Sequence, residues 1–130
     1  MGKVVLDASV ILGIFDTTDA HHATAVRAIR EHRDGNATFV LSATVAAEVL
    51  VGACRQHAGD FLARQLVDAF GPWRPIDEQV ALAAARLRAK HRALRLPDAL
   101  VLAVAEVDAA DVILSADRSW RRIDRRVQLI

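Results

Sequence analysis

The sequence is poor in cysteine and in long apolar runs. Cys54 is the only cysteine among 130 residues, so one chain can form neither an internal disulfide nor a zinc site made of thiolates. Such usage favours a reducing compartment, and we expect a cytoplasmic protein. No stretch approaches the roughly 20 uncharged apolar residues that span a bilayer. The apolar run at 4–6 is too short for the core of a signal peptide, so we expect a soluble protein without a membrane partner.

Several sequence signatures of enzymes are also missing. The chain has no glycine-rich loop ending in Gly-Lys-Ser or Gly-Lys-Thr, and no His-Glu-x-x-His zinc motif. Position 9 is serine rather than a second acid, which argues against an aspartyl-phosphate phosphatase. The formal charge of +1 predicts, by itself, no affinity for a polyanion.

The length and the apolar content predict one α/β domain. A chain of 130 residues with 53% apolar residues can bury a sizeable core, so we expect a single domain over 1–130. Hydrophobic patterning predicts strands at 4–6, 38–41, 73–76, 111–114 and 127–130, and helices at 8–15, 21–33, 43–54, 60–70, 80–94, 97–105 and 117–123. This alternation predicts a three-layer α/β/α sandwich around a mostly parallel sheet.

Three aspartates are expected at the carboxyl edge of that sheet. Asp7 directly follows the first strand, and Asp117 follows the strand at 111–114. Asp98 lies in the first turn of the apolar helix that leads into that strand. The loops at this edge of a parallel sheet form the usual functional crevice. Each aspartate, taken singly, is also explained as a helix cap.

Glu48 interrupts a helical segment that is otherwise apolar, 45–51. No lysine or arginine stands one turn away, so we expect a carboxylate that needs a bound cation, if it is not simply exposed or paired with a distant arginine. Four clustered acids favour a hard ion, Mg²⁺ or Mn²⁺, and phosphate chemistry through an activated water. Ser9 and Ser115 could orient that water or a phosphate oxygen, although local capping also explains them.

These residues together resemble a known pattern. It consists of Leu6-Asp7-Ala8-Ser9, Ala47-Glu48-Val49, Leu96-Pro97-Asp98-Ala99-Leu100 and Leu114-Ser115-Ala116-Asp117-Arg118. The set resembles the PIN-domain ribonucleases, especially the VapC-like toxins of type II toxin-antitoxin modules, over residues 4–123. Ser115 stands where that family often has threonine, and Trp120 where it often has phenylalanine.

The resemblance implies a Mg²⁺- or Mn²⁺-dependent endoribonuclease that forms a homodimer and is inhibited by a small cognate antitoxin. It implies that Asp7, Glu48, Asp98 and Asp117 form the acidic metal site, with Ser9 and Ser115 as polar neighbours. The rival interpretations are a catalytically silent RNA- or protein-binding module with the same fold, and a metal-dependent nuclease that acts on DNA.

Basic charge is concentrated in the C-terminal half of the chain. Arg118, Arg121 and Arg122 closely follow Asp117 and are candidates for holding the phosphates of an RNA substrate. The arginines within 86–95 could track a strand or simply form a solvated face. Apolar stripes within 11–15 and 62–70 are either ordinary core or a surface for a second copy and an antitoxin.

Overall fold

Four short strands form an entirely parallel sheet. The computed structural model describes residues 2–130. The strands are β1 (Lys3–Leu6), β2 (Thr38–Val40), β3 (Val112–Ser115) and β4 (Val127–Leu129), in the order β2-β1-β3-β4. Val5 pairs with Val40 on one side and with Ile113 on the other. The predicted parallel α/β sandwich is confirmed, because β-branched and apolar side chains on both sides of β1 and β3 are buried.

Six α-helices and one 3₁₀ turn connect the strands. They are α1 (Ala8–Phe15), α2 (His22–Asp34), α3 (Ala43–Arg55), α4 (Gly59–Phe70), α5 (Glu78–Lys90), α6 (Leu96–Val107) and the 3₁₀ turn (Arg118–Arg122). The connection from β1 to β2 runs toward one edge of the sheet, and the connection from β2 to β3 runs back toward the other edge. Because crossovers between parallel strands are right-handed, these two connections place helices on opposite faces of the sheet. Among residues 2–130, none of the helices is both long enough and apolar enough to cross a membrane.

Helix α6 is the central helix of the core. Its side chains at Ala99 and from Val101 to Ala105 are buried, and it packs against α5 and against strands β1 and β3. Pro97 lies in the first turn, where its missing N–H breaks no helical hydrogen bond. The small alanine side chains allow close approach to the neighbouring helix and sheet. The start of α6 is therefore held firmly beside the carboxyl ends of the strands.

The strand predicted at 73–76 is wrong. Only Arg74 pairs there, in an isolated bridge to Ser42, and no strand forms at 73–76 in the described chain. Pro72 and Pro75 flank this residue and lack the N–H that a strand ladder needs. The helix predicted at 80–94 also differs, because Asp77 caps α5 by accepting the Val80 N–H at 2.9 Å and the helix ends at Lys90.

We expect Leu102→Ala to destabilise the fold strongly, because Leu102 is 1% exposed in the middle of α6. Truncating such a side chain leaves a cavity and costs about 2–5 kcal/mol. Leu82→Ala is the matched control, since Leu82 is 53% exposed on α5 and its loss should cost less than about 0.5 kcal/mol. Urea unfolding of the two variants measures the difference. Equal losses would contradict the packing of α6.

Candidate active site

The site begins at Asp7, the residue that follows β1. Its side chain caps α1, and Oδ1 accepts the Ala8 N–H at 2.8 Å. The other oxygen, Oδ2, accepts two hydroxyl groups, from Ser9 at 2.7 Å and from Ser115 at 2.9 Å. A carboxylate has about four lone-pair positions. Asp7 therefore keeps acceptor capacity for a further ligand while its orientation is fixed.

The two serines also connect the loop after β3 to this carboxylate. Ser9 Oγ accepts the Ala116 N–H at 3.0 Å, and Ser115 Oγ accepts the Asp117 N–H at 3.0 Å. Each hydroxyl thus donates to Asp7 and accepts from the backbone beyond β3. The serine hydroxyls therefore bond to nearby backbone, as the capping interpretation expects, and they also orient the carboxylate of Asp7.

Asp117 stands at the start of the 3₁₀ turn, close to the carboxyl end of β3. Its Oδ1 accepts the backbone N–H of Ser119 at 2.9 Å and the Ser119 hydroxyl at 2.6 Å. Capping thus accounts for the position of this aspartate and directs one of its oxygens. The side chain is exposed, so it is accessible to a ligand from solvent. Sequence reasoning missed the role of Ser119.

Asp98 lies in the first turn of α6 without capping it and is half-buried. Burial raises the pKa of Asp98 above its ordinary value, the charges of Asp7 and Asp117 raise it further, and Arg95 acts in the opposite direction. A carboxyl group senses a like charge in this way only when that charge is near. Asp98 is therefore within electrostatic reach of both other aspartates.

Glu48 completes the group from helix α3. Partial burial raises the pKa of Glu48 above its ordinary value, and the negative charges of Asp7 and Asp98 raise it further. The positive charge of Arg95 lowers it. The residue is nevertheless exposed, since Val45, Ala46 and Val49 form the buried side of α3. The structure thus agrees with the alternative of an exposed carboxylate, which still lies within electrostatic reach of Asp7 and Asp98.

The four acids have no basic partner of their own. The salt bridges among residues 2–130 are Arg74–Asp77, Arg74–Asp108 and Arg126–Asp124, so none of the four carboxylates is paired. Within the same residues, no three acidic, histidine or cysteine side chains stand close enough together to enclose a metal ion. Mg²⁺ does not require such a cage, because it usually takes one or two carboxylates and completes its shell with water and substrate phosphates. The oxygen donors present fit that ion.

A basic cleft adjoins the acids. It has a volume of about 450 Å³, and its lining includes Asp98 and Asp117 together with four basic residues, His91, Arg92, Arg95 and Arg122. Of the three arginines predicted to hold phosphates, Arg122 lines this cleft, whereas Arg118 and Arg121 are exposed elsewhere on the turn. Sequence reasoning had placed Arg95 only within a diffuse basic run. Its position directly before α6 and Asp98 was the signal that could have singled it out.

Comparison with known proteins agrees with this arrangement. A family model described as the PIN domain matches residues 4–126. The chain belongs to the PIN domain family. No curated protein matches this PIN domain by sequence.

Solved structures share the fold of this PIN domain. A toxin-antitoxin complex from Klebsiella pneumoniae has a TM-score of 0.74 at 20% identity, covering 96% of this chain and 95% of that one. VapC20 of Mycobacterium tuberculosis, described as a sarcin-ricin loop cleaving toxin, has a TM-score of 0.74 at 17% identity, covering 92% and 94%. VapBC2 from Rickettsia felis, bound to a promoter DNA fragment, gives 0.73 at 11% identity, covering 98% and 97%. At these identities the likeness is one of fold.

We expect Asp98→Asn to stabilise the metal-free protein at neutral pH. Because the pKa of Asp98 is raised in the folded chain, the stability of that chain is complete below the unfolded pKa of about 3.9 and falls as the pH rises through the folded pKa. Asparagine removes this penalty. The gain should be below about 1 kcal/mol, because solvent screens a half-buried charge.

Thermal unfolding in chelator at neutral pH and near pH 3 measures this effect. The variant should exceed the native chain at neutral pH, and the difference should shrink in acid. A variant less stable than the native chain at neutral pH would mean that the carboxylate of Asp98 is stabilised rather than repelled by its surroundings.

Proposed function

We propose that this PIN domain is a metal-dependent endoribonuclease and the toxin of a toxin-antitoxin pair. The observation that carries the proposal is the mutual effect of the acids. Asp7 and Asp98 each raise the pKa of at least one other acid, and they do so at the carboxyl edge of β1 and β3. Four unpaired carboxylates at one edge are unfavourable for folding, and a cation offsets their repulsion.

We infer that Asp7, Glu48, Asp98 and Asp117 form a Mg²⁺ site in which one or two of the carboxylates contact the ion and the others act through bound water, with Mn²⁺ as a substitute. When bound, such an ion lowers the pKa of a water and stabilises negative charge on a phosphoryl oxygen. Asp7 would contribute from a fixed position, because its carboxylate is held by Ser9 and Ser115.

The other three acids and Arg95 would contribute to binding the metal ion and the substrate in different ways. Asp117 keeps Oδ1 engaged with Ser119 and presents the exposed part of its side chain to solvent. Glu48 on α3 and Asp98 on α6 would contribute from two different helices. Arg95 reduces the negative field that a polyanionic substrate meets at these two acids.

The choice of RNA and of a toxin role rests on similarity. VapC20, which has this fold, is described as cleaving the sarcin-ricin loop, and the Klebsiella protein is part of a toxin-antitoxin complex. We extend both properties to this chain as a proposal, together with a single domain over 1–130 and a cytoplasmic location.

A homodimer and a bound antitoxin belong to the same proposal. Several large apolar side chains are exposed, among them Leu12 and Phe15 on α1, and Phe61 and Val67 on α4. Ile11, Leu66 and Phe70 of the predicted stripes are buried as ordinary core, so part of each stripe has a structural explanation. The exposed side chains, Leu12 and Phe15 on α1 and Phe61 and Val67 on α4, offer apolar area to a second copy and to an antitoxin segment.

We expect the purified protein to cleave RNA only when both a divalent ion and Asp7 are present. Asp7→Asn removes the charge of the best-ordered acid and should lower the cleavage rate at least about a hundredfold, as losses of groups that stabilise transition-state charge do. Incubation of total RNA with Mg²⁺, with Mn²⁺ or with chelator measures this.

Asp34→Asn is the matched control, because Asp34 is exposed at the end of α2, and it should cleave like the native chain. Parallel reactions on single-stranded and double-stranded DNA test the rival nuclease. Cleavage that persists in chelator, or that prefers DNA, would overturn the proposal.

Metal binding itself gives a second prediction. Mg²⁺ or Mn²⁺ should raise the unfolding temperature of the native chain, with a stabilisation of about 2.7 kcal/mol when the ion is present at roughly one hundred times its Kd. The shift should be largely lost in Asp98→Asn and kept in Asp34→Asn. The absence of any shift in the native chain would favour the catalytically silent binding module.

A further inference from the structure

The basic cleft has the composition of a nucleotide site. Its floor includes Leu94, Trp120 and Ile123, whereas its basic residues include Arg92, Arg95 and Arg122. Leu94 and Trp120 are buried, at 6% and 1% exposure, so the floor is a fixed part of the core. The three arginines are exposed. An apolar floor with a cationic border matches a base that is attached to phosphates.

The charges of this border are available for a ligand. None of the salt bridges among residues 2–130 includes Arg92, Arg95 or Arg122. Arg95 lines the same cleft as Asp98 and Asp117. A phosphate held by Arg95 would therefore be adjacent to the position where the proposed cleavage occurs.

We propose that the basic cleft holds one unpaired RNA nucleotide next to the scissile phosphate. The base lies over Leu94, Trp120 and Ile123, and the flanking phosphates contact Arg92, Arg95 and Arg122. The volume of about 450 Å³ lies within the range of small-molecule sites and suits one nucleotide. This inference rests on the proposed function. It adds where the nucleotide next to the scissile phosphate binds and which arginines contact its phosphates.

Binding is measured on Asp7→Asn, so that the RNA is not consumed, with a fluorescein-labelled single-stranded RNA oligonucleotide and fluorescence anisotropy at several salt concentrations. Arg92→Ala, Arg95→Ala and Arg122→Ala should each weaken binding and reduce the slope of log affinity against log salt by about 0.7, the value for one phosphate contact on a single strand. Arg27→Ala and Arg30→Ala are the controls, because both arginines are exposed on α2 and neither lines the cleft. These two should leave the slope unchanged.

The floor is tested separately. Ala93 is exposed and lines the cleft, so Ala93→Phe should occupy the space of the base and lower the affinity, whereas Ala81→Phe, on the exposed side of α5 away from the cleft, should not. The chain has two tryptophans, and Trp73 lines a different groove, beside Pro72 and α4. In the Trp73→Phe background, RNA should therefore change the fluorescence of Trp120.

The inference is overturned if Arg27→Ala or Arg30→Ala reduces the slope as much as Arg122→Ala, or if Ala93→Phe binds RNA like its parent. It is equally overturned if Asp7→Asn fails to bind the oligonucleotide. Cleavage by the otherwise native chain is assayed in parallel. If the native chain cleaves RNA but the cleft variants bind it normally, the role proposed for the cleft is wrong and the nuclease proposal stands. If the native chain binds RNA without cleaving it, the nuclease proposal is wrong.

Discussion

Two serine hydroxyls that donate to a single oxygen of Asp7 hold this edge of the molecule together. Ser9 follows β1 and Ser115 ends β3, and both also accept backbone N–H groups from the residues after β3. The first acid, the ends of two neighbouring strands and the path of the chain toward Asp117 are thereby fixed relative to one another. Helix α6 packs on the same two strands, so the position of Asp98 depends on this register as well.

The arrangement carries an electrostatic cost. Burial and neighbouring negative charges raise the pKa of Asp98 and of Glu48. Folding therefore makes the ionised forms of these two side chains less favourable than they are in the unfolded chain. Among residues 2–130, the acids outside this edge that form salt bridges are Asp77, Asp108 and Asp124, so the lack of a basic partner does not by itself distinguish the site. What distinguishes it is that the pKa values of Asp98 and Glu48 are both raised by burial and by neighbouring carboxylates, and titratable groups perturbed together at one place are typical of a functional site.

Segregation of charge matters more here than its total. A formal charge of +1 gives no general attraction for a polyanion, yet the border of the cleft places three arginines beside the acids. Acidic and basic groups therefore line the same cleft. This local charge distribution would allow a nearly neutral domain to bind RNA as proposed.

The sequence by itself determined the parallel sheet, the apolar helix α6 and the positions of Asp7 and Asp117 just after two strands, because hydrophobic periodicity is a local property of the chain. It could not determine that Glu48 is exposed, that 73–76 forms no strand, or that Arg95 and Arg122 rather than Arg118 and Arg121 border the cleft. Those outcomes depend on how helices rotate and how loops close once the core has packed. Such angles arise from contacts between residues distant in sequence, so only the tertiary structure decides them.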